Sequence, residues 1–441
     1  MTHATPPSLA EIDQILDALR PALHVPYAPP NIYPMSAPIF TKRPGAERPR
    51  QVGGTLGVYV HVPFCNYACN FCFYAKRVGD TEATHDRYVA ALTKELGAIQ
   101  PGSTLAQLYI GGGTPTTLAP ARLDTVLATI FDRMQPRGDV HTVECSPESL
   151  TPEHVRVLRS RGIGRVSMGV QSLRDDVLET VHRGHDRERS FAAIDLLTGA
   201  GLVVNVDLIF GLPGQTEADF CRDLEDVVAR GVDSVTTYSL RVNERTPVVH
   251  LLREEERLDL QRLVRWRAVV RNAAVDLGFL PTRWHTFVRP GAAGERFQDR
   301  TGVGDQLGVG MSARSRFGAT IYRNHTNLQS YLERIESEAS PVEEIFALGD
   351  EDLRLRFIGR TLGEGSALER GEYHRAFGHP LEDDFAEPLQ RLRGVGLLVE
   401  DDTHVRLTET GTLVCDLTTL AFYPRRLQEW LYDRQQAAFR R

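Results

Sequence analysis

Tyr59-Val-His-Val-Pro-Phe-Cys65-Asn-Tyr-Ala-Cys69-Asn-Phe-Cys72 decides how the rest of the chain is read. Its first half alternates like a strand, and its second half is a loop carrying three cysteines. Half of the chain's six cysteines fall within these eight loop residues, spaced Cys-x3-Cys-x2-Cys. Such a loop can wrap one face of an iron–sulfur cube, with three thiolates on three irons and the fourth iron open. Closed electron-transfer clusters usually take four cysteines. A structural zinc site would want a fourth Cys or His and two paired Cys-x2-Cys elements. His61 is near, but the strand alternation turns it away from the loop. A disulfide framework does not suit so long a chain with so few cysteines. Spacing alone leaves iron–sulfur and another metal both open.

Working outward, short apolar runs recur at 57–62, 107–110, 140–144, 165–170, 203–209 and 234–240. Helical stretches lie between them at 85–99, 121–134, 187–200 and 217–230. This alternation predicts a parallel sheet with helices outside it. Six strands are too few to close an eight-stranded barrel, so the expected fold is α/β, an open (βα)6 partial TIM barrel. Functional groups are then expected at the C-terminal strand ends. Gly111-Gly-Gly-Thr-Pro115 falls at such an end, where glycines allow a close backbone approach.

Further on, an amphipathic helix is expected over 252–277, with Glu254, Glu255 and Glu256 in its first turn as the helix dipole prefers. From about 345, a helix near 350–361, an apolar run ending at Leu398 and a turn into 405–411 suggest a small winged-helix-like α+β domain. Its acidic surroundings favour a lid over the barrel mouth rather than DNA binding. The domain reading is thus a Pro-rich N-terminal extension over 1–54, a core over 55–290, a connecting segment closing the barrel mouth over 291–340, and a C-terminal domain over 341–441.

Composition sets outer limits. The 441 residues carry a formal net charge of −7, which does not suit a broad nucleic-acid face. Only Lys42, Lys76 and Lys94 are lysines among 51 basic residues. No apolar run approaches the ~20 residues of a membrane span. No signal-peptide pattern is seen either, so a cytoplasmic setting is expected.

The cysteine spacing, with Phe71 before the last cysteine, resembles the signature of the radical S-adenosylmethionine (SAM) superfamily. The stretches 59–65, 111–116, 166–171 and 207–216 are similar to one branch of it. That branch holds oxygen-independent coproporphyrinogen III oxidases, related heme chaperones and class C radical SAM methyltransferases. The resemblance implies a 4Fe-4S cluster on Cys65, Cys69 and Cys72. It also implies one or two SAM molecules contacted by Tyr59, Phe71, Gly112, Gly113, Thr114, Glu144, Gln171, Arg183 and Asp207. It further implies a small-molecule substrate and an electron donor such as flavodoxin or ferredoxin. His285, Arg314 and His325 are candidates for substrate or proton handling, and equally polar residues of a connecting segment.

Two departures from the branch are visible. Oxidases carry a further cysteine where this chain has Tyr74, and chaperones carry a His-Asn-x-x-Tyr-Trp sequence absent here. The expectation that follows is class C methyl or methylene transfer to an unsaturated small molecule. Oxidative decarboxylation of a porphyrinogen and heme delivery without turnover are the alternatives.

Overall fold

A computed structural model describes residues 8–23, 25, 41–44, 51–137, 141–242, 246–253, 256, 259–292 and 304–439. Six parallel strands form the barrel wall: Thr55–Val62, Ser103–Gly112, His141–Cys145, Arg165–Gln171, Val203–Phe210 and Ser234–Ser239. They lie side by side in chain order, each paired in parallel with the next. The wall stays open. Val140, expected in the third strand, lies outside the described residues.

The first strand shows why the alternation was informative. Leu56, Val58, Val60 and Val62 are buried against the helices, while Tyr59 is only half-buried on the inner face. Each fully buried aliphatic side chain contributes roughly 1.5–3 kcal/mol. Helices Glu82–Leu96, Pro120–Arg133, Arg187–Gly199 and Glu217–Ala229 cover the outer face near their expected positions. Two shorter helices, Pro152–Ser160 and Asp175–Thr180, complete the crossovers. Thr81, Thr151, Asp186 and Thr216 cap four of these helices, each accepting a backbone N–H in the first turn.

The helix expected over 252–277 starts later, at Leu260, and runs to Asp276. Asp259 supplies the cap by accepting from the Arg262 N–H, at 2.8 Å. Glu256 serves a different purpose: it accepts from the Gly214 N–H and from Arg253. Glu254 and Glu255 lie outside the described residues.

The sheet continues beyond the barrel on both sides. Asp305–Val309 pairs in parallel with the first strand, followed by Arg314–Phe317, Thr320–Asn324 and Val342–Ala347. Part of the stretch expected as a connector, 305–324, thus adds strands to the sheet. Glu95 anchors it from the first helix. Its buried carboxylate accepts from the Gly310 N–H (2.8 Å), Asn324 Nδ2 (2.8 Å) and Tyr331 Oη (2.7 Å). On the far side Thr286–Val288 runs antiparallel to the sixth strand.

A separate apolar core holds the C-terminal region, with a three-stranded antiparallel sheet of 368–369, 404–407 and 398–400. Ile12 and Leu19 of the N-terminal helix Leu9–Leu19 belong to this core, as does Val264. The Pro-rich stretch 26–38 lies outside the described residues. A buried ion pair ties the two regions: Arg267 meets Asp416 at 3.0 and 3.1 Å, with both side chains under 5 % exposed. Among the described residues no helix is long and apolar enough to cross a membrane.

Candidate active site

The three cysteines sit on the loop leaving the first strand, all as free, partly exposed thiols. Short backbone bonds shape that loop. The Cys72 N–H donates to the Cys69 carbonyl (3.2 Å), and Lys76 Nζ donates to the Cys72 carbonyl (2.7 Å). Asn70 fastens it to the barrel through the Val181 and Thr180 carbonyls. Two donors face the sulfurs: Thr114 Oγ1 is 3.8 Å from Cys65 Sγ, and Arg183 Nη1 is 3.5 Å from Cys69 Sγ. Hydrogen bonds to sulfur are one means by which a protein sets the potential of an iron–sulfur cluster. Three thiols on one loop, with donors already aimed at two of them, are a donor set that fits such a cluster.

His61 is not a ligand. Its Nε2 lies 3.1 Å from the Ala75 carbonyl, which can only accept, so Nε2 carries the proton. Nδ1 then accepts from Tyr59 Oη at 3.0 Å. Burial pushes the imidazole down to about 4.

The glycine segment lies directly above this ring. Gly112 has φ +114°, and a Cβ there would collide with the His61 imidazole. Its N–H donates to Glu144 Oε2 (3.0 Å), while Tyr109 Oη donates to Oε1 (2.6 Å). The Gly113 and Thr114 N–H groups are spent on the Val62 and Phe64 carbonyls, at 2.7 Å each. Asp207, on the fifth strand, accepts from Asn205 Nδ2 (2.8 Å) and Ser167 Oγ (3.2 Å). Burial raises Glu144 above the ordinary carboxylate range. Burial and then the charge of Glu144 push Asp207 up to about 7. Two carboxylates that burial renders reluctant to ionise suit a cationic ligand such as a sulfonium or an ammonium.

The Arg183 side chain is largely enclosed and heavily used. Its Nη2 donates to the Gly169 carbonyl (2.6 Å) and to Ser146 Oγ (2.8 Å), beside its contact with Cys69. Behind it Glu148 lies 3.1 Å from His185 Nδ1. Burial alone would raise Glu148, but the His185 bond and the Arg183 charge outweigh it and hold the carboxyl at about 2. Gly184 in the same turn is required by Tyr67 of the cysteine loop, whose ring occupies the place of a Cβ. Gln171 adopts φ +74°, a backbone strain met at functional sites.

Other expected residues separate. Phe71 packs on a satellite apolar cluster containing Ile209, Leu240 and Val248. Arg314 and His325 lie with the strands added beyond the first barrel strand. Arg314 sits opposite Arg323 in register, and His325 approaches Glu343 at 4.0 Å. His285 lies at the other end of the strand order, beside Tyr238, with ring centroids 5.5 Å apart. Tyr109, Tyr238 and Ser167 were not singled out from sequence. Tyr109 could have been, since period 2 places it on one strand face with Gly111.

The Radical SAM superfamily model matches residues 59–227. The chain is 31% identical over 369 residues to the heme chaperone HemW of Mycobacterium tuberculosis, covering 79% of this chain and 94% of that one. It is 27% identical over 387 residues to the oxygen-independent coproporphyrinogen III oxidase of Escherichia coli, covering 81% and 83%. The solved structure of that oxidase, HemN, superposes with a TM-score of 0.74 at 25% identity, covering 86% of this chain and 91% of that one. The chain belongs to the radical SAM superfamily, in the branch of the coproporphyrinogen oxidases and HemW chaperones. Members of the superfamily use a 4Fe-4S cluster and SAM, and so does this protein. The expected methyl transfer finds no support among these relatives, which are named as chaperones and oxidases. The frame is common to several reactions, so two motif departures could not select one.

Proposed function

We propose that the protein is a radical SAM enzyme acting on a tetrapyrrole, by oxidative decarboxylation of a porphyrinogen propionate. The observation that carries this reading is the match to the E. coli oxidase over 86% of this chain, extending well beyond the cluster-binding core. Bound here, the cluster and SAM would supply one-electron, hydrogen-abstracting chemistry. Cys65, Cys69 and Cys72 would hold the cluster, with Thr114 and Arg183 moderating the charge on its sulfurs. Glu144 and Asp207 would receive the cationic groups of SAM, and the Gly112 cradle would let its backbone approach. A flavodoxin- or ferredoxin-like donor would supply the electron to the cluster, and a one-electron acceptor would take the electron that leaves the substrate radical with carbon dioxide.

A second reading, heme delivery without turnover, is favoured by the 31% identity that spans 94% of the HemW chain. One anaerobic experiment separates them. The reconstituted protein is given SAM, reductant and coproporphyrinogen III, and 5′-deoxyadenosine, carbon dioxide and the porphyrin product are quantified. Matched amounts of 5′-deoxyadenosine and carbon dioxide are expected, one of each per propionate lost. Stoichiometric heme binding with no 5′-deoxyadenosine would overturn the enzyme reading in favour of the chaperone.

A further inference from the structure

The described residues include few exposed large apolar side chains, and several of them gather near the cysteine loop. Phe73 and Tyr74 follow the last cysteine, are 42% and 61% exposed, and stack at 4.7 Å with an interplanar angle of 28°. Tyr238 on the sixth strand is 41% exposed. Parallel register pairs Thr236 with Asp207, so Tyr238 stands one strand repeat above that carboxylate on the same inner face. Exposed aromatics grouped in this way mark a place for a ligand rather than a core.

The charge here is opposite to that of the SAM pocket. Arg241, just past the sixth strand, lies over the Phe73 ring at 5.7 Å. Arg283 and Arg267 stand behind, committed to Glu364 (3.0 Å) and Asp416 (3.0 Å). His285 fills the space between. Its ring lies 4.4 Å from Trp284 and 5.5 Å from Tyr238, and its carbonyl accepts from the Thr237 N–H at 2.7 Å. Its Nδ1 is shut off from solvent and has no hydrogen-bond partner among the described residues. Leaving such a group without a bond is costly until something bonds to it. Burial, with Arg283, Arg241 and Arg267 nearby, pushes this imidazole down to about 3, so it adds no charge of its own. One side of the barrel thus gathers buried acids, and the other gathers arginines around an open aromatic surface.

We infer that Phe73, Tyr74 and Arg241 form the substrate subsite, with the aromatic pair supporting a pyrrole ring of the tetrapyrrole and Arg241 gripping one of its carboxylates. Tyr238 and His285 form the wall behind it. A guanidinium gives a carboxylate two parallel hydrogen bonds, which fixes orientation as well as affinity. Tyr74 adds aromatic surface where the oxidases carry a cysteine. The inference rests on the tetrapyrrole reading above and deepens it.

The test is an anaerobic fluorescence titration of the reconstituted holoenzyme with coproporphyrin III and, separately, with its uncharged tetramethyl ester. Iron content is measured for every variant. Arg241→Gln is expected to weaken the free acid about tenfold and to leave the ester unchanged, the size of one charge-assisted bond. Tyr74→Ala is expected to weaken both ligands alike. Arg241→Lys, which keeps the charge, is expected to recover most of the acid's affinity. If Arg241→Gln and Arg241→Lys both bind the free acid as the wild type does, the subsite is wrong and the tetrapyrrole reading stands. If the wild type binds neither porphyrin, both are wrong.

Discussion

The two sides of the barrel are built differently. On the side of strands one to five, nearly every polar group near the cysteines already has a partner. Glu144 is held by Tyr109 and Gly112, Asp207 by Asn205 and Ser167, and Arg183 by Gly169, Ser146 and Cys69. On the side of the sixth strand and Thr286–Val288, aromatic rings lie open; His285 Nδ1 has no hydrogen-bond partner among the described residues, as Arg183 Nε has none on the first side. On the proposed reading the first side receives the cationic groups of SAM. The second is shaped by residues that belong to this chain's own choice of substrate. Chemistry shared across a superfamily is held by short, rigid backbone devices, and selectivity is left to side chains that can be exchanged without disturbing them.

The largest effect should come from the cysteines. Cys69→Ala is expected to abolish iron incorporation and lower 5′-deoxyadenosine formation at least a hundredfold, since two thiolates cannot hold the cube. Full iron content in this variant would remove the cluster from the loop. Next is the junction behind the second side. Arg267→Met strands the Asp416 carboxylate in the interior and should cost ~3–5 kcal/mol, read as a fall in unfolding midpoint. Adding Asp416→Leu should recover most of that loss. An unchanged midpoint in the single variant would show that the two regions are not coupled through this pair.

A pH series sharpens the comparison further. Asp207 is raised from its ordinary value to about 7 by burial and by Glu144. A raised carboxyl favours the folded, empty site at low pH, and this contribution is lost as pH climbs from its ordinary range through about 7. A sulfonium instead binds the ionised form. SAM affinity should therefore rise roughly tenfold from pH 6 to pH 8, following the ionised fraction. Asp207→Asn should flatten that profile, measured by equilibrium dialysis at each pH. The smallest effect is expected for Tyr109→Phe. Losing one hydrogen bond to Glu144, worth about 1 kcal/mol, should weaken SAM about fivefold with no change in iron content.

The barrel wall was readable because its strands alternate in one face and its loops carry chemistry at one end. Leu56, Val58 and Val60 against Tyr59 is a pattern that local sequence alone expresses. The strands over 305–347 were not readable in the same way. Asp-Gln-Leu-Gly-Val has no strong period, and its partner is the first barrel strand, some 250 residues earlier. The helix start at Leu260 was missed because three glutamates looked like a first turn, whereas Asp259 provides the cap. At the site, the cysteine spacing is legible in the sequence and Glu144 and Asp207 come from the family resemblance, but the hydrogen bonds that hold them do not show there. That both nitrogens of His61 and both Nη atoms of Arg183 are taken depends on the Ala75 and Gly169 carbonyls and on where the fold brings Tyr59 and Cys69, which a sequence does not display. The reaction was the least legible, since the residues around Arg241 and His285 meet only through the fold.

Strand Thr41–Pro44 pairs with Glu344–Ala347, with Thr41 opposite Ala347. During synthesis the earlier partner must wait for the later one. At ~5–20 residues per second the ribosome takes roughly 15–60 s to bridge that interval. For that time the barrel strands can assemble while the sheet's outer margin is unfinished. The last pairing to form is then also the one that records that nearly the whole sheet has been made.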